Sequence, residues 1–176
     1  MKNTYLIPYT ALFIALFTAL SYISIPFFPV PFTLQTLAVL LASAVMKRYA
    51  VYPAILYLLL GILGLPVFHN GMAGIGILCG PTGGYLVGFI PAACIVGICY
   101  EQTKFIIRVF GLIAGVILIL LCGTGWLVIS SGMEIWTAFL VGFAPFIPGD
   151  LIKALLCFVI VQRLEDAGVT LSGRLS

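Results

Sequence analysis

Charge is what this sequence has least of. Only 7% of its 176 residues are Asp, Glu, Lys or Arg and one is His, against 63% hydrophobic, and the mean hydropathy is +1.28. Soluble domains carry roughly a quarter charged residues, so this scarcity excludes one and puts the chain in a bilayer. A net charge of +3 is too small for a nucleic-acid surface, and the eight Lys and Arg form no polybasic patch. Cys79, Cys94, Cys99, Cys122 and Cys157 are odd in number, scattered and without CxxC spacing, which excludes a disulfide framework and a thiolate metal site. No His/Cys/Glu cluster has metal-ligand spacing, and no Ser, His and acid arrangement is visible. Gly80-Pro81-Thr82-Gly83-Gly84 lacks the lysine of a phosphate loop. The expectation is no metal, no cofactor and no engine for using ATP.

Long apolar runs are what the chain has instead. A hydrocarbon core of ~30 Å takes roughly 20 apolar residues per helix, so the length allows about six spans with short connections. The fold class expected is an all-α integral membrane protein: six transmembrane helices in one compact bundle, a single membrane domain over residues 1–176. The spans are read at 7–25, 33–46, 49–63, 84–100 and 105–129, then a half-span at 135–146 leading into a helix that opens at Asp150. Lys2 ahead of an apolar run ending in Ala19-Leu20-Ser21 resembles a secretory leader. The run continues through aromatic residues, however, and it is read as a retained span. Ala11, Ala15 and Ala19 recur every four residues and form a small-residue stripe that lets another helix approach closely, within the bundle or from a partner.

Basic residues set the orientation. With the N-terminus in the cytoplasm, Lys2, Lys47, Arg48, Lys104, Arg108, Arg163 and Arg174 all fall at the cytoplasmic side, leaving Lys153 as the exception. The outward connections, 26–33, 64–83 and 130–149, then contain no Lys or Arg and hold seven of the ten prolines. Irregular backbone at membrane depth is tolerated where it lines a cavity or is buried by protein. The expected result is an outward-facing ligand pocket capped by loops, with both termini cytoplasmic.

The pocket chemistry centres on Pro145-Phe146-Ile147-Pro148-Gly149-Asp150-Leu151-Ile152-Lys153. Full charges inside an apolar segment cost at least ~3 kcal/mol each and mark a function. Pro148 and Gly149 break one helical pattern, and Asp150 is read as the N-cap of the next helix, with Lys153 three residues on along the same face. Near this outer end stand Gln35, Asn70, Thr82 and Tyr85, with Phe32 and Phe68 as aromatic walls; His69 is read as an ordinary loop residue. Asp150 and Lys153 can contact a ligand or simply neutralise one another. A stand-alone proton-coupled carrier using Asp150, or an intramembrane enzyme using both charges as acid and base, are competing readings. A single charged break without a repeated partner disfavours the carrier, and the lack of a second constellation disfavours the enzyme.

Four stretches, taken in order, resemble the BioY family: 29–42 (PVPFTLQTLAVLLA), 57–68 with its Tyr-Leu-Leu-Leu-Gly and Gly-Leu-Pro-Val-Phe, 80–86 (GPTGGYL), and 145–153 (PFIPGDLIK). The resemblance covers almost the whole chain. It implies the biotin-binding S-component of an energy-coupling factor (ECF) transporter, which binds biotin from outside and delivers it when coupled to a transmembrane T-component and a pair of ABC-type ATPases. It further implies that Asp150 and Lys153 are the family's charged pair and that Gln35, Thr82 and Tyr85 belong to its other pocket motifs. Ala11 and Ala15 match the alanine motif that meets the T-component. Biotin's ureido ring, apolar bicycle and carboxylate tail suit an acid, an amide, a cation and aromatic walls.

Overall fold

The computed structural model describes residues 3–168, with side chains from Tyr5 onward. Lys2 and Arg174 lie outside the described residues. The chain is helical along most of its length: α1 (Asn3–Ser21), α2 (Gln35–Met46), α3 (Val51–Ile62), α4 (Ile75–Cys79), α5 (Gly83–Tyr100), α6 (Phe105–Ser131), α7 (Ile135–Gly142) and α8 (Phe146–Asp166). Gln35–Ile62, Gly83–Tyr100 and Phe105–Ser131 are long and apolar enough to cross a membrane, and Ile135–Gly142 with Phe146–Asp166, bent by 44°, makes a fourth candidate. Helix α6 alone, at 27 residues, reaches about 40 Å. Large apolar side chains stay exposed around the helices, among them Ile7, Ile106, Phe110 and Ile129. That outward greasiness is stable only against lipid, so the chain is a membrane protein.

Residues 35–62 do not form one rod. Lys47 has φ 57° and ψ −137°, a conformation that L-residues other than glycine seldom adopt, and a 3-10 turn at Lys47–Ala50 follows. The side-chain amide of Gln35 donates to the Tyr57 hydroxyl, a contact impossible across 22 residues of straight helix, which would separate them by about 33 Å. Helices α2 and α3 therefore fold back on one another, as two segments parted by Lys47-Arg48. Helix α5 seals this turn, since a Cβ on Gly97 would lie 2.3 Å from the Lys47 carbonyl oxygen.

Two sequence expectations need correction and a third gains detail. Helix α1 ends at Ser21 rather than near 25 and contains Pro8 within it. The proline-rich stretch after it is a small antiparallel hairpin, β1 (Ser24–Ile25) against β2 (Phe32–Thr33), with a cis Phe28–Pro29 bond at its tip. The 64–82 connection is not devoid of helix: it holds α4 and a 3-10 turn at His69–Gly71. Glycine density there masked a short helix whose ends are set by Gly74 and Gly80.

The bundle has two unlike ends. At one, the Arg48 guanidinium pairs with Glu101, holding that carboxyl below its usual pKa; Arg108 pairs with Glu165 at 2.7 Å. Lys47, Lys104 and Arg163 belong to the same end through their places in these turns. At the other, loops interlock through backbone carbonyls. The Ser21 hydroxyl lies 3.0 Å from the Val67 oxygen, Tyr22 donates to Pro66, and the Trp126 indole donates to Gly80.

Candidate functional site

Helix α8 begins at Phe146, with Pro145 at its N-cap, and runs unbroken through Pro148, Gly149 and Asp150. Asp150 is therefore inside the helix, not its cap. Pro148 is tolerated because the first turn's N–H groups have no intrahelical acceptors to lose. The early start carries Asp150 and Lys153 together to the loop-rich end of the bundle, where they are 2% and 3% exposed. Lys153 Nζ sits 2.7 Å from Asp150 Oδ1 and donates at 2.6 Å to the Thr33 carbonyl oxygen on β2. The mutual ion pair foreseen as one option is thus made, and the ammonium is further held 3.8 Å from the centre of the Phe32 ring.

Gly149 makes that last contact possible. A Cβ there would stand 2.2 Å from the Phe32 ring, so only glycine lets the ring lie on the helix and cover Lys153. Phe32 in turn stacks on Phe146 with centroids 5.8 Å apart. Phe146 packs against Tyr85, whose hydroxyl donates to the Gly142 carbonyl at 2.6 Å and so ties α5 to the end of α7.

Tyr85 and Phe146, with the residues around them, enclose a cavity of about 40 Å³. Asp150, Lys153, Gln35, Thr82 and Tyr85 all line it, although they come from α8, α2, the α4–α5 link and α5. Five of the expected site residues therefore meet at one place, and Phe32 backs it through Lys153. Phe68 does not line the cavity: it is fully buried edge-on to Tyr57 and over Gly61. Asn70 is exposed, accepts from the Ser24 hydroxyl and faces an outer recess. His69 and Phe146, which sequence reasoning did not single out, line the cavity, with Thr36, Leu86 and Phe89 completing much of its wall. Phe146 lay within the motif already noted, but nothing marked His69 as buried.

The arrangement is suited to binding. A carboxylate and an ammonium neutralise one another in a buried setting, while the amide of Gln35 and the hydroxyl-bearing Thr33, Thr36, Thr82 and Tyr85 add donors and acceptors. Apolar walls supply the rest. Among the described residues no group of His, Cys, Asp and Glu could hold a metal, and the cysteines are free. The Ala11, Ala15, Ala19 stripe faces outward along α1, with all three alanines exposed, so it is not used for packing inside the bundle.

Residues 2–169 match the BioY family. A biotin transporter BioY2 from Lactococcus lactis subsp. cremoris is 42% identical over 165 residues, covering 89% of this chain and 88% of that one. The biotin transporter BioY of Thermotoga maritima is 40% identical over 160 residues, covering 90% and 94%. The fold matches a crystal structure of the S-component for biotin from an ECF-type ABC transporter with a TM-score of 0.82 and 31% identity, over 94% of this chain and 95% of that one.

Proposed function

The chain belongs to the BioY family, and on that premise we propose that it is the biotin-binding membrane subunit of an uptake transporter. It captures biotin outside and delivers it inward when coupled to a T-component and a pair of ABC-type ATPases; it is not an enzyme. The observation that carries this is the buried Asp150–Lys153 pair on the wall of a cavity with Gln35, Thr82 and Tyr85. Biotin's ureido ring offers two N–H donors and a carbonyl acceptor. Asp150 accepts from the ring, Tyr85 and Phe146 flank the bicycle, and Lys153 fixes the acid's position. Asp150 is already paired, which argues against its service as the proton carrier of a stand-alone transporter.

The finer architecture follows from the same features. Helices α1, α5 and α6 each cross once, α2 and α3, of 12 residues each, cross with the help of the turn and loop residues that flank them, and the bent α7–α8 pair supplies the sixth crossing, all in one domain. The cavity faces outward and both termini face the cytoplasm, because Lys47, Arg48, Lys104, Arg108 and Arg163 gather at the opposite end. The exposed Ala11, Ala15 and Ala19 stripe receives the T-component. No metal or other cofactor takes part, and ATP is used by the partners alone.

Titrating biotin into the purified chain tests the reading. Biotin at ~100 times its dissociation constant should stabilise the protein by roughly 2.7 kcal/mol, visible as a raised unfolding temperature. An unshifted melt at millimolar biotin would refute it.

A further inference from the structure

The cavity beside Asp150 and Lys153 is too small for the ligand proposed for it. About 40 Å³ admits about three waters, whereas ligand pockets usually exceed roughly 300 Å³. The missing room lies next door, in an open vestibule of about 360 Å³ between the β1–β2 hairpin tip, including Phe27 and Phe28, and Met72. Pro31 and His69 line both chambers and form the collar between them. His69 is only 8% exposed, yet its imidazole has no hydrogen bond or ion pair among the described residues, and its nitrogens are not among the buried polar atoms left without a partner, so they reach open space rather than protein. An imidazole packed into the wall shared by both chambers, with its nitrogens unbonded by protein and open to that space, is placed to bond whatever occupies it.

We propose that His69 is a substrate-contacting residue, which takes the carboxylate end of biotin as the tail leaves the cavity through the Pro31–His69 collar. This rests on the biotin reading above. A ligand anchored by its ureido ring at Asp150 must point its tail away from that pair, and the vestibule is the adjoining space. Lys153 is poorly placed to serve the carboxylate, because Asp150, the Thr33 carbonyl and the Phe32 ring already surround its ammonium. Burial lowers the pKa of His69 below its ordinary value. The imidazole is then neutral near pH 7, with one N–H to donate to a carboxylate oxygen.

The test compares biotin with biotin amide, which keeps the rings and tail but lacks the charge, on purified parent, His69→Ala and His69→Gln proteins by calorimetry. The parent should prefer biotin over the amide. In His69→Ala, biotin should bind about tenfold to a hundredfold more weakly and most of that preference should vanish. His69→Gln, which retains an N–H donor and most of the bulk, should recover part of both. A His69→Ala protein that keeps the parent's preference overturns the inference, as does His69→Gln losing biotin and the amide equally while folded. A parent that binds neither compound instead defeats the biotin reading itself.

Discussion

The Asp150 carboxylate is paired with Lys153, and on the proposed function it also meets a ligand; substitution separates the two roles. Asp150→Asn keeps the shape but turns a charge-assisted bond into a neutral one. Hydrogen bonds to charged groups contribute ~1.5–3 kcal/mol, so biotin affinity should fall by about ten- to a hundredfold. An analogue lacking one ureido N–H should bind the parent poorly but lose little more against Asp150→Asn, because both changes remove the same interaction. Equal losses from the analogue in both proteins, measured by calorimetry, would show that Asp150 serves Lys153 alone. The pair was legible in the sequence because full charges beside an apolar run are costly and conspicuous. His69 was not, since a histidine in a glycine-rich loop reads the same whether buried or exposed, and its burial depends on hairpin and helix segments distant in sequence.

At the scale of elements, periodicity located α5 and α6 to within two residues at each end, because both are long apolar runs with polar stops. It misjudged α8, where Pro148 and Gly149 read as a break although the first turn accommodates them. Spacing alone left the role of the α1 stripe open; its exposure removes internal packing as the explanation. Replacing Ala15 with Trp should therefore leave biotin binding by the isolated subunit within about twofold, since nothing of the bundle rests on that face. Copurification with the T-component should fail, because close helix approach needs small residues. Intact copurification of Ala15→Trp would remove α1 from the partner interface.

For the molecule as a whole, orientation rests on the segregation of basic residues. Single cysteines replacing Arg48 or Lys104, in a background lacking the native five, should resist an impermeant thiol reagent in intact cells, while one at Gly132 should react. Labelling at Arg48 from outside would invert the molecule and turn the cavity toward the cytoplasm.

The two ends are also fastened by different means, and this divides the molecule kinetically. Ion pairs tie α5 to the Lys47 turn and α6 to α8 at the basic end, whereas the cavity end is shut by short loops held through hydrogen bonds from side chains to the carbonyls of Thr33, Pro66, Val67, Phe68 and Gly80. Admission of a ligand can then proceed as a local fluctuation of low free energy, with the far half of the bundle serving as a stationary anvil. Amide hydrogen exchange should report it. Amides of 64–74 and of the hairpin should exchange faster than those of α5 and α6, and biotin should slow the former while leaving the latter almost unchanged.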